Sequence, residues 1–338
     1  MKLPFSFGIG FLWRLAIPGC ISALALWPVI ALFMRWMALD VPSETTFAVA
    51  SVGLGCLFVF FDMRIYMLAE GRRYWPSWLR SLMIAREERK LSRWLSRAKK
   101  HEEEAEKARA KNDQAAAIAH EGEATEYFVR AFRYPLGDGS YSISARDPAV
   151  HYPTELGNIL TGYETYATQK YDLDGVFFWE RLLIAAPKEM REVLDDRQAL
   201  CDGALYSWCA CVVGTFVYAI FAVLTYFNLI ELWAHDSLRI SLVVTVIFLG
   251  FAIFFWIGAI SLNEQFGELL KAMVDSYVDK VKLDPAIEAI EQKTGNELKK
   301  LPIFEQRRAA WRYLRWHQYR KPGENKNVDI ESIRKNKY

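Results

Sequence analysis

The residues best suited to chemistry are polar side chains placed inside apolar stretches. Asp62 lies several residues inside one end of an apolar block, where a carboxylate is costly and by default marks a pairing or a functional site. Arg14 is expected at a similar depth on a neighbouring block. We predict an Arg14–Asp62 ion pair, with two alternatives for Asp62, a pore-lining role and interfacial snorkelling. Thr215 and Thr245 can line a narrow polar path or simply permit close helix packing.

A second candidate site is the basic segment from Leu298 to Lys321, which holds eight cations against one acid, Glu305. Aromatic residues are interleaved with these cations. Cations neutralise phosphate and flat rings stack on bases, so the segment can bind a nucleotide or single-stranded nucleic acid. Two alternatives stay open, a basic amphipathic helix on anionic lipid headgroups and docking on the acidic segment 155–196. The candidate residues are Lys299, Lys300, Arg307, Arg308, Trp311, Arg312, Arg315 and Trp316.

No pattern typical of an enzyme accompanies these residues. The sequence has no GxSxG, HExxH, P-loop or GxGxxG. Its five cysteines lack the spacing of a zinc site, and the histidines at 101, 120, 151, 235 and 317 are scattered. We therefore expect no enzymatic activity, no metal and no cofactor.

The elements that position these residues are predicted to be helices throughout. Four apolar blocks reach the roughly 20 residues that a membrane-spanning helix needs. They cover about 15–36, 47–68, 205–233 and 240–262. The fold class is therefore all-α, a polytopic membrane protein with four transmembrane helices in two hairpins, 1–69 and 204–262.

The charges between the blocks predict the orientation. Met37 to Thr46 has no Lys or Arg, and Ala234 to Arg239 has one, whereas ten cations lie between Arg72 and Lys100. The positive-inside rule places the regions rich in Lys and Arg in the cytoplasm. We predict a bacterial inner (plasma) membrane protein whose N- and C-termini are both cytoplasmic.

The rest of the chain is predicted to form a helical insert, 70–203, and a helical tail, 263–322, followed by a mobile end, 323–338. Within the insert, 78–133 reads as a long charged helix, 134–150 as a loop and 151–203 as helical again. The charged helix either runs straight as a stalk or folds back near Asn112–Asp113. Both forms suit the cytoplasmic side.

Part of the insert resembles a segment of poorly characterised bacterial four-span membrane proteins. In that group a Pro-Thr-x-Leu-Gly-Asn helix precedes a Tyr-x-Leu-Asp turn and a Trp-x-Arg-Leu segment. The matching residues include Pro153, Thr154, Gly157, Asn158, Tyr171, Asp174, Trp179 and Arg181. The resemblance extends to the order of two spans, insert, two spans and tail, and it implies an architecture without an activity.

The layout and the basic tail more loosely resemble channel-like membrane effectors of anti-phage defence, of the Hailong type. That resemblance implies a tetrameric channel controlled by a DNA oligomer that a partner nucleotidyltransferase makes. The sequence thus favours a homo-oligomeric, channel-like or membrane-disrupting effector in contact with membrane lipids, controlled from the cytoplasm by a phosphate-bearing ligand or a protein partner. The alternative is a membrane scaffold that anchors a cytoplasmic partner complex.

Overall fold

The computed structural model describes residues 9–39, 41–135, 148–171, 173–227, 237–295 and 297–316. Every regular element in this part of the chain is helical, which confirms the predicted all-α class. The segment 323–338, predicted to be mobile, lies outside the described residues, as does most of the loop 134–150. A few side chains within helices are also outside the description, namely Ile9, Val176, Phe177, Ser237, Thr294, Phe304, Trp311, Arg315 and Trp316.

The chain divides into two compact units. The first comprises residues up to Tyr163 together with Lys188–Leu270, and it holds all the apolar helices. The second comprises Glu164–Pro187 and the chain from Lys271 onward.

Within the part of the chain that the structure describes, three helices are long and apolar enough to cross a membrane. They belong to α4 (Ser43–Ala69), α10 (Lys188–Tyr226) and α11 (Ser237–Tyr277). A fourth candidate is broken, because α2 (Ile17–Ala25) and α3 (Trp27–Trp36) meet at a bend of 65°. Pro28 at the start of α3 explains the break, since proline lacks the amide hydrogen and clashes with the preceding turn. The structure thus supports three spans, or four if the bent pair is one.

Glycines allow the spans to pack backbone against backbone at their buried faces. A Cβ atom added to Gly19 would collide with the carbonyl of Ser51, and one added to Gly55 would collide with the carbonyl of Leu15. A Cβ atom on Gly203 of α10 would lie 2.6 Å from the carbonyl oxygen of Trp13. These contacts hold the first broken span against α4 and α10, in the manner of small-residue interfaces in membranes.

The charged segment forms an antiparallel helical hairpin, which decides between the two forms left open by the sequence. Helix α5 (Ser77–Ala110) and helix α6 (Gln114–Ala131) are joined at Lys111–Asp113. Asn112 adopts a left-handed conformation at φ 59°, and the Asp113 side chain caps α6 by accepting from the Ala116 amide at 3.1 Å. The turn is therefore built into the sequence at these two residues.

Alanines form the seam of this hairpin. The buried positions follow a seven-residue repeat on both helices, Leu91, Ala98 and Ala105 on α5, and Ala117, Ala124 and Ala131 on α6. Seven-residue spacing keeps one face of each helix toward its partner. Because alanine is small, the two helices approach closely while burying little apolar area per turn.

The base of the hairpin is fixed by polar contacts within the first unit. Tyr134 donates a hydrogen bond to the buried Glu87, and Arg133 pairs with Glu264 of α11 at 2.7 Å. Burial and the nearby Glu87 carboxylate raise the pKa of the Tyr134 phenol, so it remains a donor at neutral pH. Lys90 pairs with Glu155, at the start of the helix α7 (Glu155–Glu164).

The second unit contains the short helices α8 (Tyr166–Tyr171) and α9 (Gly175–Ala185). It also contains a 3₁₀ turn at Val278–Lys280, α12 (Asp284–Thr294), a second 3₁₀ turn at Leu298–Lys300 and α13 (Ile303–Trp316). Gly295 ends α12 in the left-handed conformation at φ 67°, as is usual for glycine after a helix. The tail is therefore a set of short helices rather than one continuous rod.

Candidate functional site

Two tyrosines and two aspartates form a reciprocal pair of hydrogen bonds between α4 and α10. The Tyr206 hydroxyl donates to Asp62 Oδ1 at 2.6 Å, and the Tyr66 hydroxyl donates to Asp202 Oδ1 at 2.7 Å. Tyr206 is 2% exposed and Asp202 is 5% exposed, so water competes little for these bonds. We call these four residues the Tyr–Asp clasp.

Arg14 adds a third helical segment to the clasp. It lies in a π-helical turn, Leu12–Ala16, and its Nε donates to Asp202 Oδ2 at 2.7 Å while Nη1 reaches Asp195 Oδ1 at 2.8 Å. The predicted Arg14–Asp62 ion pair is therefore wrong. The guanidinium of Arg14 donates to two acids of α10, Asp195 and Asp202, and Asp62 accepts a hydrogen bond from Tyr206 instead.

The spacing that builds the clasp is present in the sequence but was not recognised there. Both helices carry Asp-x-x-x-Tyr, at 62–66 on α4 and at 202–206 on α10. Residues four apart share one face of a helix. When two helices with this pattern run antiparallel, the Asp of each helix can meet the Tyr of the other. The pattern predicts the pairing only once the two helices are known to be neighbours.

Thr215 and Thr245 do not join this network. The hydroxyl of Thr215 donates to the carbonyl of Cys211 at 2.9 Å, and that of Thr245 donates to the carbonyl of Ser241 at 2.8 Å. Each is therefore satisfied by the preceding turn of its own helix, a common arrangement for threonine in apolar helices.

Four of the candidate cations of the tail are paired with acids of the tail. Lys299 lies 3.0 Å from Glu288, and Arg308 lies 3.6 Å from Glu305. The remaining pairs are Lys300 with Glu297 and Arg307 with Asp279, and Arg312 also has an interaction. The side chains of Trp311, Arg315 and Trp316 lie outside the described residues. To bind phosphate, the four paired cations would have to exchange an existing carboxylate partner.

Asp275 is the centre of another polar cluster in the second unit. The hydroxyls of Tyr166 and Tyr171 each donate to it at 2.8 Å, and Lys170 Nζ lies 3.1 Å away. Burial raises the pKa of Asp275, but the hydrogen bonds from the two phenols and the ammonium outweigh it and leave that pKa below its usual value. Arg307 lies over the Tyr171 ring at 5.8 Å, which joins the tail to this cluster.

A row of cations on α5 is less fully paired than the tail. Arg86, Lys90, Arg93, Trp94 and Arg97 line a groove of about 300 Å³, which we call the arginine groove. Among the described residues its three arginines, all exposed, have no acidic partner, whereas Lys90 pairs with glutamates. Unpaired guanidinium groups in a row, next to a flat indole, form a surface suited to phosphate.

The arginine groove shares two residues with a second cleft in the same unit. Arg86 and Lys90 also line a cleft of about 470 Å³ whose other walls include Trp208, Leu249 and Trp256 of the apolar helices. The cleft thus has apolar walls, and its polar end holds Glu87 and Glu155 beside the two cations, with Lys90 paired to both acids. Arg86 is the cation at this end without an acidic partner among the described residues, and an anionic head would bind there with an apolar body in the cleft.

The Pro-Thr-x-Leu-Gly-Asn residues hold the chain at the end of α4. Thr154 accepts from the Gly157 amide at 3.0 Å, and a Cβ atom on Gly157 would lie 2.6 Å from the carbonyl oxygen of Glu70. The fully buried Asn158 makes four hydrogen bonds, two as acceptor and two as donor, to the backbone between His151 and Thr154. Pro153 packs on Gly71, so these residues serve the structure.

The other residues of that resemblance belong to the second unit. Tyr171 donates to Asp275, the backbone carbonyl of Asp174 caps the Phe178 amide at 2.9 Å, and Arg181 lies over the Phe178 ring at 5.5 Å. Trp179 is half-buried. The two halves of the motif thus stabilise two different units.

A further group with possible chemistry lies between the arms of the hairpin. His101, Glu104 and His120 bring three ligand atoms within 4.8 Å of one another. No metal spacing was recognised among the scattered histidines. The signal is that His-x-x-Glu occurs on both arms, at 101–104 and 120–123, at equal distances from the turn.

Comparisons with models of protein families, with curated proteins and with solved structures give no match for this chain. Its function is therefore argued from the clasp, the grooves and the apolar helices themselves.

Proposed function

We propose that this protein is an oligomeric, channel-like or membrane-disrupting effector, controlled from the side that carries the helical hairpin by a phosphate-bearing ligand or a protein partner. The observation that carries the proposal is the Tyr–Asp clasp with Arg14, because it ties three helical segments together at one level. In this proposal the polar helices bind the ligand or partner, and the membrane helices carry out the response.

Helix α10 provides the mechanical link between input and output. It is continuous over 39 residues, about twice the length needed to cross a bilayer, and its first part is polar. Asp195 and Asp202 lie on that polar part and hold Arg14, while Tyr206 holds Asp62 on α4. A displacement of the polar end of α10 therefore acts directly on the two other segments. Coupled shifts of packed helices are a common form of gating.

Oligomer formation follows from the small number of spans. Three or four helices per chain cannot enclose an aqueous path, so several copies are needed, and we propose a tetramer. The apolar windows of α4, α10 and α11 are only 11%, 28% and 17% buried within the chain. Gly250 on α11 leaves open space where a Cβ atom would lie, and so does Gly258. These surfaces are free to contact lipid or further copies.

The arginine groove is the proposed ligand site, and the cations of the tail are a separate candidate for phosphate. Its arginines face no acid among the described residues, whereas four tail cations are already ion-paired. A nucleotide or oligonucleotide would gain charge-assisted hydrogen bonds there without displacing a carboxylate from these arginines. A lipid headgroup offers the same phosphate chemistry, and the neighbouring cleft, with its apolar walls, can take part of an acyl chain.

Location and orientation are part of the proposal. We place the protein in the bacterial inner membrane with both termini in the cytoplasm, on the positive-inside distribution of Lys and Arg. A role in anti-phage defence rests on the layout shared with such effectors. Reporter enzymes that work only in the cytoplasm, fused at either end, test the orientation, and inactive fusions at both ends would overturn it.

The experiment that tests the function combines mass measurement with ion flux. The mass of the purified protein is measured in detergent. The protein is then reconstituted into vesicles of neutral lipid alone or of neutral lipid with 20% anionic lipid, and ion flux is followed as nucleotides or short oligonucleotides are added. A multiple of the chain mass and ligand-dependent flux support the proposal. A monomer without flux under every condition overturns it. Dependence on anionic lipid alone would assign the groove to headgroups.

Two sets of substitutions locate the input and the output. Replacing the three groove arginines by glutamine should abolish ligand dependence without changing the oligomer. The matched control replaces three cations of the same hairpin that lie outside the groove by glutamine, namely Lys99, Lys107 and Lys111, and so removes the same charge. Asp62→Asn tests the pore, because unchanged conductance and selectivity would exclude Asp62 from the ion path.

The alternative is a scaffold that anchors a partner complex, and one observation favours it. Helix α6 exposes Ile118 at 66% and Val129 at 54%, on one face, with Phe132 following at 49%. Exposed apolar residues on one helix face are typical of a protein contact. A chain that remains monomeric, and a membrane potential that stays constant when the protein is expressed in bacteria, would favour the scaffold over the effector.

A further inference from the structure

Two identical short patterns face each other across the helical hairpin. His101 and Glu104 lie three residues apart on α5, and His120 and Glu123 lie three residues apart on α6. Residues at this spacing share one face of a helix. Because the arms are antiparallel and the turn lies midway, the two pairs reach the same level.

The ligand atoms of three of these residues form a nearly equilateral triangle. His101 Nδ1 and His120 Nδ1 are 3.4 Å apart. Glu104 Oε2 lies 3.6 Å from the first nitrogen and 3.5 Å from the second. In a tetrahedral zinc site with bonds of about 2.0–2.1 Å, neighbouring ligand atoms are about 3.3–3.4 Å apart. The three side chains therefore already have nearly the separations of a metal site.

Hydrogen bonding joins only some of these groups at a time. His101 Nδ1 lies near His120 Nδ1, Glu104 and the Glu123 carboxylate, the last at 2.9 Å, and because one ring nitrogen carries at most one hydrogen, it can donate to only one of them. The His101 ring is held in place by stacking on Tyr127, with centroids 5.8 Å apart and planes at 17°. A cation at the centre of the group would satisfy all the facing lone pairs together.

We propose that His101, Glu104 and His120 bind a divalent transition-metal ion of the zinc class. Imidazole nitrogens select such ions over Mg²⁺ and Ca²⁺, which prefer sites made only of oxygen. Glu123 lies beside the site, with its carboxylate 2.9 Å from His101 Nδ1. The side chains of His101, Glu104 and His120 are 20–34% exposed, so the ion can exchange with solution.

The ion would serve as a latch between the two arms. His101 lies 24 residues after the start of α5 at Ser77, about 36 Å along the helix from that end. The alanine seam buries little apolar area there, so a metal bridge is the strongest cross-link available in this half of the hairpin. Metal loading thus sets the stiffness of the outer hairpin independently of the proposed channel activity.

The test is metal binding by the full-length protein in detergent, after removal of metal with a chelator. Co²⁺ is titrated while its visible absorption is followed, and Zn²⁺ then competes. We expect one saturable site per chain, with a tetrahedral cobalt spectrum that Zn²⁺ abolishes and millimolar Mg²⁺ does not. Absence of saturable Co²⁺ binding by the wild-type chain, or displacement by Mg²⁺, would overturn the proposal whatever the variants do.

Variants assign the ligands. His101→Gln and His120→Gln should each weaken binding at least as much as the roughly 10- to 100-fold that loss of a supporting outer-shell group costs. Glu103→Gln is the matched control, an exposed acid on the same helix next to the site, and it should bind as the wild type does. Circular dichroism compares the helix content of each variant with that of the wild type. Wild-type affinity in the His101→Gln/His120→Gln double variant would refute the assignment.

Discussion

Removing the two hydroxyls of the Tyr–Asp clasp one at a time is expected to destabilise the span bundle unequally. Tyr66→Phe leaves Asp202 with its ion pair to Arg14 at 2.7 Å. Tyr206→Phe leaves Asp62 without the one hydrogen-bond partner that it has among the described residues. The second substitution should therefore cost more.

The structure provides the size of each effect. Phenylalanine keeps the stacking of residue 206 on Phe58, where the centroids are 5.5 Å apart and the planes at 18°, so only the hydroxyl is lost. Hydrogen bonds between membrane helices average about 0.6 kcal/mol and reach about 1.7 kcal/mol. We expect Tyr66→Phe in this range. An unsatisfied buried polar group costs about 1–3 kcal/mol, and Asp62 is half-buried, so Tyr206→Phe should cost about 1.5 kcal/mol.

The assay is reversible unfolding in mixed micelles of a mild and a denaturing detergent, followed by circular dichroism. A difference of about 1 kcal/mol between the two variants corresponds to about a fivefold change in the unfolding constant. Asp62→Asn should recover much of the loss caused by Tyr206→Phe, because it removes the unpaired charge. Equal costs for the two tyrosines, or a further loss on adding Asp62→Asn, would refute the reasoning.

Three further predictions concern other contacts. Gly55→Val should destabilise the bundle by about 1–3 kcal/mol, because the added side chain would collide with a backbone carbonyl. Gly53→Val on the same helix should be tolerated, because a Cβ atom there meets nothing within 4 Å. Equal melting temperatures of the two variants would contradict this prediction. The pKa of Asp275 is lowered in the folded state, so the ionised carboxylate stabilises the fold above the unfolded-state pKa of about 3.9. This contribution to the free energy of unfolding is lost as pH falls through the lower folded-state pKa. Asp275→Asn should remove that pH dependence when stability is measured over an acid titration. Arg14→Gln should weaken the contact of the first span with α10, seen as faster proteolysis near the N-terminus, and wild-type cleavage rates would count against that contact.

The helices of this protein were largely predictable from the sequence, because their signals are local. Apolar length alone indicates the helices α4, α10 and α11, and the composition of 78–133, rich in Ala, Glu, Lys and Arg, indicates a charged helix. The break in the first span was missed, although Pro28 stands at it. A proline inside an apolar block does not by itself say whether the helix kinks or continues.

The same local signals left the hairpin undecided. The segment around Lys99 to Ala119 has few large apolar residues, and the sequence therefore predicted no conventional core there. The structure shows that alanines at seven-residue spacing, such as Ala98 and Ala105, form the seam instead. A small residue reads as neutral in a hydropathy pattern, and only its contact with a facing helix shows that it belongs to an interface.

The sequence by itself determined that this chain is helical, that several helices can cross a membrane, and which polar residues lie near their ends, because these properties depend on neighbours along the chain. Only the tertiary structure determined which side chains contact each other. Arg14 and Asp202 are 188 positions apart, Asp62 and Tyr206 are 144 apart, and His101 meets His120 only because the hairpin folds back. Charge and spacing specify what a side chain can bind, but the packing of glycine- and alanine-lined helices selects the partner that it reaches.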